Sequence, residues 1–97
     1  MDATNLARYH AVIEGRVQGV GFRMFVNQKA EQYRLTGWVR NTWQGEVEVL
    51  VEGPRNSIEH LIDDLRVGPP SAYVTNLRED WAPHQGEFTR FFVARSE

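Results

Sequence analysis

Cysteine is missing from all 97 residues. That absence excludes disulfides, thiolate nucleophiles, iron–sulfur clusters and thiolate-bound zinc, and it fits a cytoplasmic protein. Proline is scarce, with four residues, none before Pro54, so the first half of the chain keeps all of its backbone N–H donors. No apolar run approaches the roughly 20 residues of a membrane-spanning helix, and the polar start of the chain lacks the apolar core of a secretory signal. An excess of one charge is also lacking: 11 Lys and Arg face 13 Asp and Glu, for a net charge of −2. No broad positive field exists to gather nucleic acid or an anionic membrane, so neither is an expected partner and any anion site must be local. His10, His60 and His84 are scattered without metal-ligand spacing, and no metal or cofactor is expected.

What is present describes an ordinary globular domain. Hydrophobic residues make up 41% and charged residues 25%, with five Phe, three Tyr and three Trp as bulky core material. A chain of this length holds one core and buries roughly two-thirds of its unfolded surface. Residues 1–7 read as a flexible polar lead-in and residues 8–97 as a single domain.

The pattern of residues sets an order of elements. Tyr9 to Gly15 is a short β-prone run, and the closely spaced glycines of Val17-Gln18-Gly19-Val20-Gly21 mark a sharp turn. Phe22, Phe25, Val26, Ala30 and Tyr33 recur at helical spacing, which predicts a first helix from Phe22 to Arg34. Gly37 to Asn41 and Glu46 to Glu52 alternate as half-buried strands around a turn at Thr42-Trp43-Gln44-Gly45. Asn56 and Glu59 have capping-box spacing ahead of Ile58, Leu61, Ile62 and Leu65, and Gly68-Pro69-Pro70 closes this second helix. Ala72 to Trp81 and Phe88 to Val93 are further extended segments. The order β-α-β-β-α-β with a short extra strand predicts an α+β, ferredoxin-like sandwich: an antiparallel sheet with two helices packed on one face. Glu46, Glu48 and Glu52 read as a solvated strand face, Trp38 as core filler, and Arg16 as partner to a nearby carboxylate.

Chemistry concentrates in Gly15-Arg16-Val17-Gln18-Gly19-Val20-Gly21-Phe22-Arg23, a glycine-rich turn that runs straight into a helix. Successive N–H groups in such a turn can converge on an anion, at which the positive end of the helix dipole also points. Arg23, in the first helical turn, adds a guanidinium fork that matches two phosphate oxygens.

Together with Leu35-Thr36-Gly37-Trp38-Val39-Arg40-Asn41, Gly45-Glu46-Val47-Glu48-Val49 and Glu52-Gly53, this turn closely resembles the acylphosphatase family. The resemblance covers nearly the whole chain after Arg8. It implies a metal-free hydrolase that converts a small-molecule acyl phosphate to a carboxylate and inorganic phosphate, the latter being both product and inhibitor. It also implies that Arg23 binds the phosphoryl group with the amides of Gln18, Gly19, Val20, Gly21, Phe22 and Arg23 itself, and that Asn41 orients the attacking water. A cytoplasmic monomer is the expected form. Trp43 departs from the smaller or polar residues usual in this turn of the family.

Other readings of the same residues are weaker. Gly19-Val20-Gly21 could open a dinucleotide fingerprint, but Met24 occupies the third glycine position and the element order is wrong for a doubly wound sheet. Gly21 to Val26 has some likeness to an aromatic RNA-binding segment, although in such folds that segment lies on a central strand. A non-enzymatic module binding RNA or a small anion through the same turn is the alternative.

Overall fold

The computed structural model describes residues 5–97. Alternation in the first strand sets the two faces of the sheet. In β1 (Leu6–Arg16), Ala7, Tyr9, Ala11 and Ile13 are buried while the intervening residues face the other way. β3 (Val47–Pro54) lies antiparallel to it, with Tyr9 opposite Val51, Ala11 opposite Val49 and Ile13 opposite Val47, so both strands turn the same apolar set inward. β2 (Thr36–Asn41) flanks β3, and β4 (Tyr73–Pro83) flanks β1. With β5 (Phe91–Val93) the sheet order is β4-β1-β3-β2-β5.

Two helices cover the buried face. α1 (Phe22–Gln32) contributes Phe22, Val26 and Ala30, and α2 (Arg55–Val67) contributes Ile58, Leu61, Ile62 and Leu65, to one continuous core with the inward residues of the strands. Each of the fully buried Ile58, Leu61 and Leu65 side chains stabilises the fold by about 1.5–3 kcal/mol. The expected ferredoxin-like sandwich is therefore the observed fold. One part differs, because β5 runs parallel to β2, with Gly37 opposite Phe91 and Val39 opposite Val93. The sheet is mixed: the chain leaves β4 at one edge, crosses to the other, and enters alongside β2 in the same direction.

Several element ends depart from the sequence pattern, each because a backbone partner lies far away in the chain. Leu6 and Ala7 belong to β1, paired with Pro54 and Gly53, and are not part of a lead-in; the remainder of that stretch, residues 1–4, lies outside the described residues. α1 stops at Gln32 because Arg34 turns left-handed (φ 59°), its N–H donating to Glu31 and that of Leu35 to Ala30, a Schellman closure built without glycine. Asn56 is not a cap. β3 continues to Pro54, which is itself the N-cap of α2, and the Arg55 N–H donates to the Asn5 carbonyl at 2.9 Å, leaving Asn56 inside the first turn.

The other face of the sheet is polar but not simply solvated. Glu52, only 1% exposed, accepts hydrogen bonds from Arg8 at 3.0 Å and from the backbone N–H groups of Gln85 and Glu87 at 2.8 and 3.2 Å. It holds down the segment that crosses this face, so the strand expected from Phe88 begins only at Phe91. Glu48 sits between His10 at 2.6 Å and Arg40 at 2.9 Å. Trp38 lies half-buried on this face with the Arg40 guanidinium 4.4 Å from its ring centre, and does not fill the core.

Burial pushes the Glu52 carboxyl up, but the Gln85 and Glu87 N–H groups, Arg8 and His84 outweigh it and hold it below the ordinary range. The stability supplied by ionised Glu52 is therefore complete above the unfolded carboxyl value, about 4.3, and is lost as pH falls through the lower folded value. Thermal melts from pH 7 to pH 2.5 should show Glu52→Gln with a lower Tm at pH 7 and a flatter acid limb than the parent. An acid limb of unchanged steepness would mean that Glu52 does not carry this latch.

Candidate active site

The strand register brings the two halves of the site to one end of the sheet. Ile13, Val47 and Asn41 form a row across β1, β3 and β2, so the chain leaving β1 turns beside the last residue of β2. In that turn Val17 is buried and anchors the loop to the core. Gly19 and Gly21 adopt left-handed conformations, φ 74° and 78°, which side-chain-bearing residues rarely take. A Cβ at either position would meet no protein atom within 4 Å, so backbone conformation, not crowding, requires glycine, and open space lies beside both.

Gly21 is the N-cap of α1 and offers no capping side chain. Its carbonyl accepts the Phe25 N–H at 3.0 Å, but among the described residues none of the N–H groups from Gln18 to Arg23 donates to a protein acceptor. Unpaired N–H donors at a helix N-terminus are the arrangement at which proteins commonly bind anions. Arg23 is half-buried and, among the described residues, forms no ion pair.

Arg23, Gly19, Gly21 and Phe22 share one cavity of about 390 Å³ with Asn41. The Asn41 Oδ1 is buried and has no hydrogen-bond donor from the described residues. Buried acceptors are rarely left unsatisfied, so this one fits a donor that is not part of the protein. Of the residues picked out in the sequence, Gln18 and Val20 belong to the turn without lining the cavity; Val20 packs against the core. Arg16 is exposed and, among the described residues, makes no ion pair. Trp43 is 79% exposed and does not wall the cavity.

Four contributors were not legible in the residue pattern. The Gln18 side-chain amide donates to the Thr42 and Glu46 carbonyls at 2.9 and 2.8 Å, a strut between the glycine turn and the turn that follows Asn41. Only its backbone amide was expected to matter. Glu97 brackets Asn41: its N–H donates to the Asn41 carbonyl at 3.0 Å, and its carbonyl accepts the Trp43 N–H at 3.1 Å. Val93 and Met24, with Val17 from the turn, complete the cavity lining. Glycine spacing flags a turn, but no sequence signal reveals which strand a distant segment will lie beside.

The acylphosphatase family model matches residues 9–93. The chain belongs to the acylphosphatase family. An acylphosphatase of Pyrobaculum calidifontis is 41% identical over 93 residues, covering 95% of this chain and 84% of that one. The crystal structure of an acylphosphatase from Bacillus subtilis superposes with a TM-score of 0.88 at 36% identity, covering 91% of this chain and 98% of the other. An acylphosphatase from Coxiella burnetii does so with a TM-score of 0.88 at 40% identity, covering 94% and 95%. Acylphosphatases hydrolyse acyl phosphates, and this member is an enzyme of that class. The non-enzymatic alternative is not favoured, and the aromatic segment from Gly21 onward opens α1 instead of lying on a central strand.

If the orphan donors of this acylphosphatase hold a phosphoryl group, inorganic phosphate should stabilise the folded state. An anion bound only by that state adds RT ln(1 + [L]/Kd), about 2.7 kcal/mol at one hundred times Kd. Phosphate should raise Tm beyond chloride at matched ionic strength; Arg23→Ala should lose most of the difference, and Asn41→Ala should keep it. Equal shifts with both anions would place phosphate elsewhere.

Proposed function

We propose that the amides of Gln18, Gly19, Val20, Gly21, Phe22 and Arg23, with the Arg23 guanidinium, bind the phosphoryl group of an acyl phosphate while Asn41 aligns a water for attack on phosphorus. The observation carrying this reading is that Arg23 and Asn41, whose guanidinium makes no ion pair and whose Oδ1 accepts no hydrogen bond among the described residues, line the same cavity as the glycine turn. As the water oxygen bonds to phosphorus, the bond from phosphorus to the acyl oxygen breaks and its electron pair leaves with the carboxylate. The water proton passes to a phosphoryl oxygen, which yields inorganic phosphate. A carboxylate leaves readily without protonation, so no general acid is required. The charge spread over the equatorial oxygens meets donors already in place, and positioning with electrostatic stabilisation supplies the acceleration.

Asn41 has no basic function at neutral pH. Its amide oxygen accepts a hydrogen bond from the water and sets the direction of attack. Action as a monomer in the cytoplasm belongs to this reading, and the absence of cysteine fits that compartment. The same donors suit inorganic phosphate as product and competitive inhibitor.

Hydrolysis of acetyl or benzoyl phosphate should persist in excess EDTA. Activity lost with chelator and restored by magnesium would overturn the metal-free mechanism. Asn41→Ala should lower kcat roughly 10²-fold or more with little change in KM, since the water contact matters most in the transition state. Arg23→Ala should damage both parameters, because the clamp acts in both states. A folded Asn41→Ala protein with near-normal kcat would remove Asn41 from the mechanism.

A further inference from the structure

The cavity that contains Arg23 and Asn41 is bordered by two large apolar residues left open to solvent. Met24, the residue after Arg23 on α1, is 59% exposed, and Val93 at the end of β5 is 44% exposed. They lie far apart in the chain and line one cavity because β5 lies beside β2, where Val93 is opposite Val39. Among the described residues, Arg23 is the only charged one in the cavity lining. If it is engaged by the phosphoryl group, the lining has no second cation for a substrate that carries another negative charge.

We infer that Met24 and Val93 form an apolar shelf for the acyl group, and that the substrates preferred by this chain are acyl phosphates with an uncharged, apolar acyl part. The inference rests on the phosphoryl-site reading above. Connectivity argues for this occupant: a single oxygen joins the acyl carbon to phosphorus, so the acyl group of a molecule held at the glycine turn lies within reach of Met24 and Val93 in the same cavity. An aryl or alkyl group there covers the Met24 and Val93 surface and gains from its removal from water. A carboxylate or a second phosphate would be desolvated against these walls without a partner.

Values of kcat/KM for acetyl, butyryl and benzoyl phosphate, measured on the parent, Met24→Ser, Val93→Ser, the double variant and Met24→Leu, test the shelf. Ratios between substrates compared across variants cancel the intrinsic reactivity of each anhydride. The benzoyl-to-acetyl ratio should fall roughly three- to tenfold in Met24→Ser, less than the discrimination of a closed apolar pocket because the shelf is half open. The fall should be larger in the double variant, and Met24→Leu should retain the parent ratio.

On the unaltered protein, benzylphosphonate should inhibit more tightly than phosphonoacetate, which carries a carboxylate in place of the ring. An unchanged ratio in a double variant that still hydrolyses acetyl phosphate would overturn the shelf and leave the phosphoryl site standing. Tighter inhibition by phosphonoacetate would also overturn it. So would a dimer that dissociates on Met24→Ser in sedimentation while the substrate ratio holds, since the patch would then serve a second copy of the chain. A parent protein that hydrolyses none of the three substrates would overturn the phosphoryl-site reading itself, and the shelf with it.

Discussion

The register between β1 and β3 is the constraint on which the rest of the molecule depends. It sets Tyr9, Ala11 and Ile13 against Val51, Val49 and Val47 on one face, and Arg8 against Glu52 on the other. A slip of one residue would send the apolar set to solvent and bury the charges, so burial of one face specifies the pairing strongly. The same register decides where β1 runs out relative to β2, and hence that the glycine turn emerges next to Asn41. The site is a consequence of how the central strands align.

Around that alignment, short-range ties hold the two halves of the site in place. Gln18 spans from the turn to the Thr42 and Glu46 carbonyls, and Arg78 reaches both Glu14 beside the turn and Glu46 beyond Asn41. Glu97 closes on the backbone at Asn41 and Trp43, and its carboxylate pairs with Arg40 at 3.1 Å. The proposed catalysis by positioning needs such support, because a displacement of about 1 Å can cost as much as 10²-fold in rate. The loop glycines adopt φ values that few other residues tolerate, and buried Val17 and Phe22 on either side limit the freedom those glycines would otherwise allow.

The polar face serves a different purpose. A carboxylate as buried as Glu52 needs partners to stay charged, and two of those it has are backbone N–H groups of the crossing segment. That segment carries the chain from the β4 edge to the β5 edge. Loss of the Glu52 latch would thus act at a distance on β5, which supplies Val93 to the cavity.

Local chemistry was enough to read the elements and the glycine turn. Helical spacing from Phe22, alternation through Val47 to Val51, and glycines spaced to turn the chain into a helix each depend on neighbours a few residues apart. The specific pairing of Gly15 to Arg23 with Leu35 to Asn41 carried the family resemblance as well. Contacts across the fold were illegible for the opposite reason. Glu52 alternates like a solvated strand residue, yet it is buried because residues 85 and 87 cross above it. Asn56 has the spacing of a cap, yet Pro54 takes that place because β3 continues far enough to pair with Leu6. The parallel entry of β5, the strut from Gln18 and the apolar shelf all join residues distant in the chain. Periodicity in a sequence records which side of an element is apolar; only packing decides which distant group that side meets.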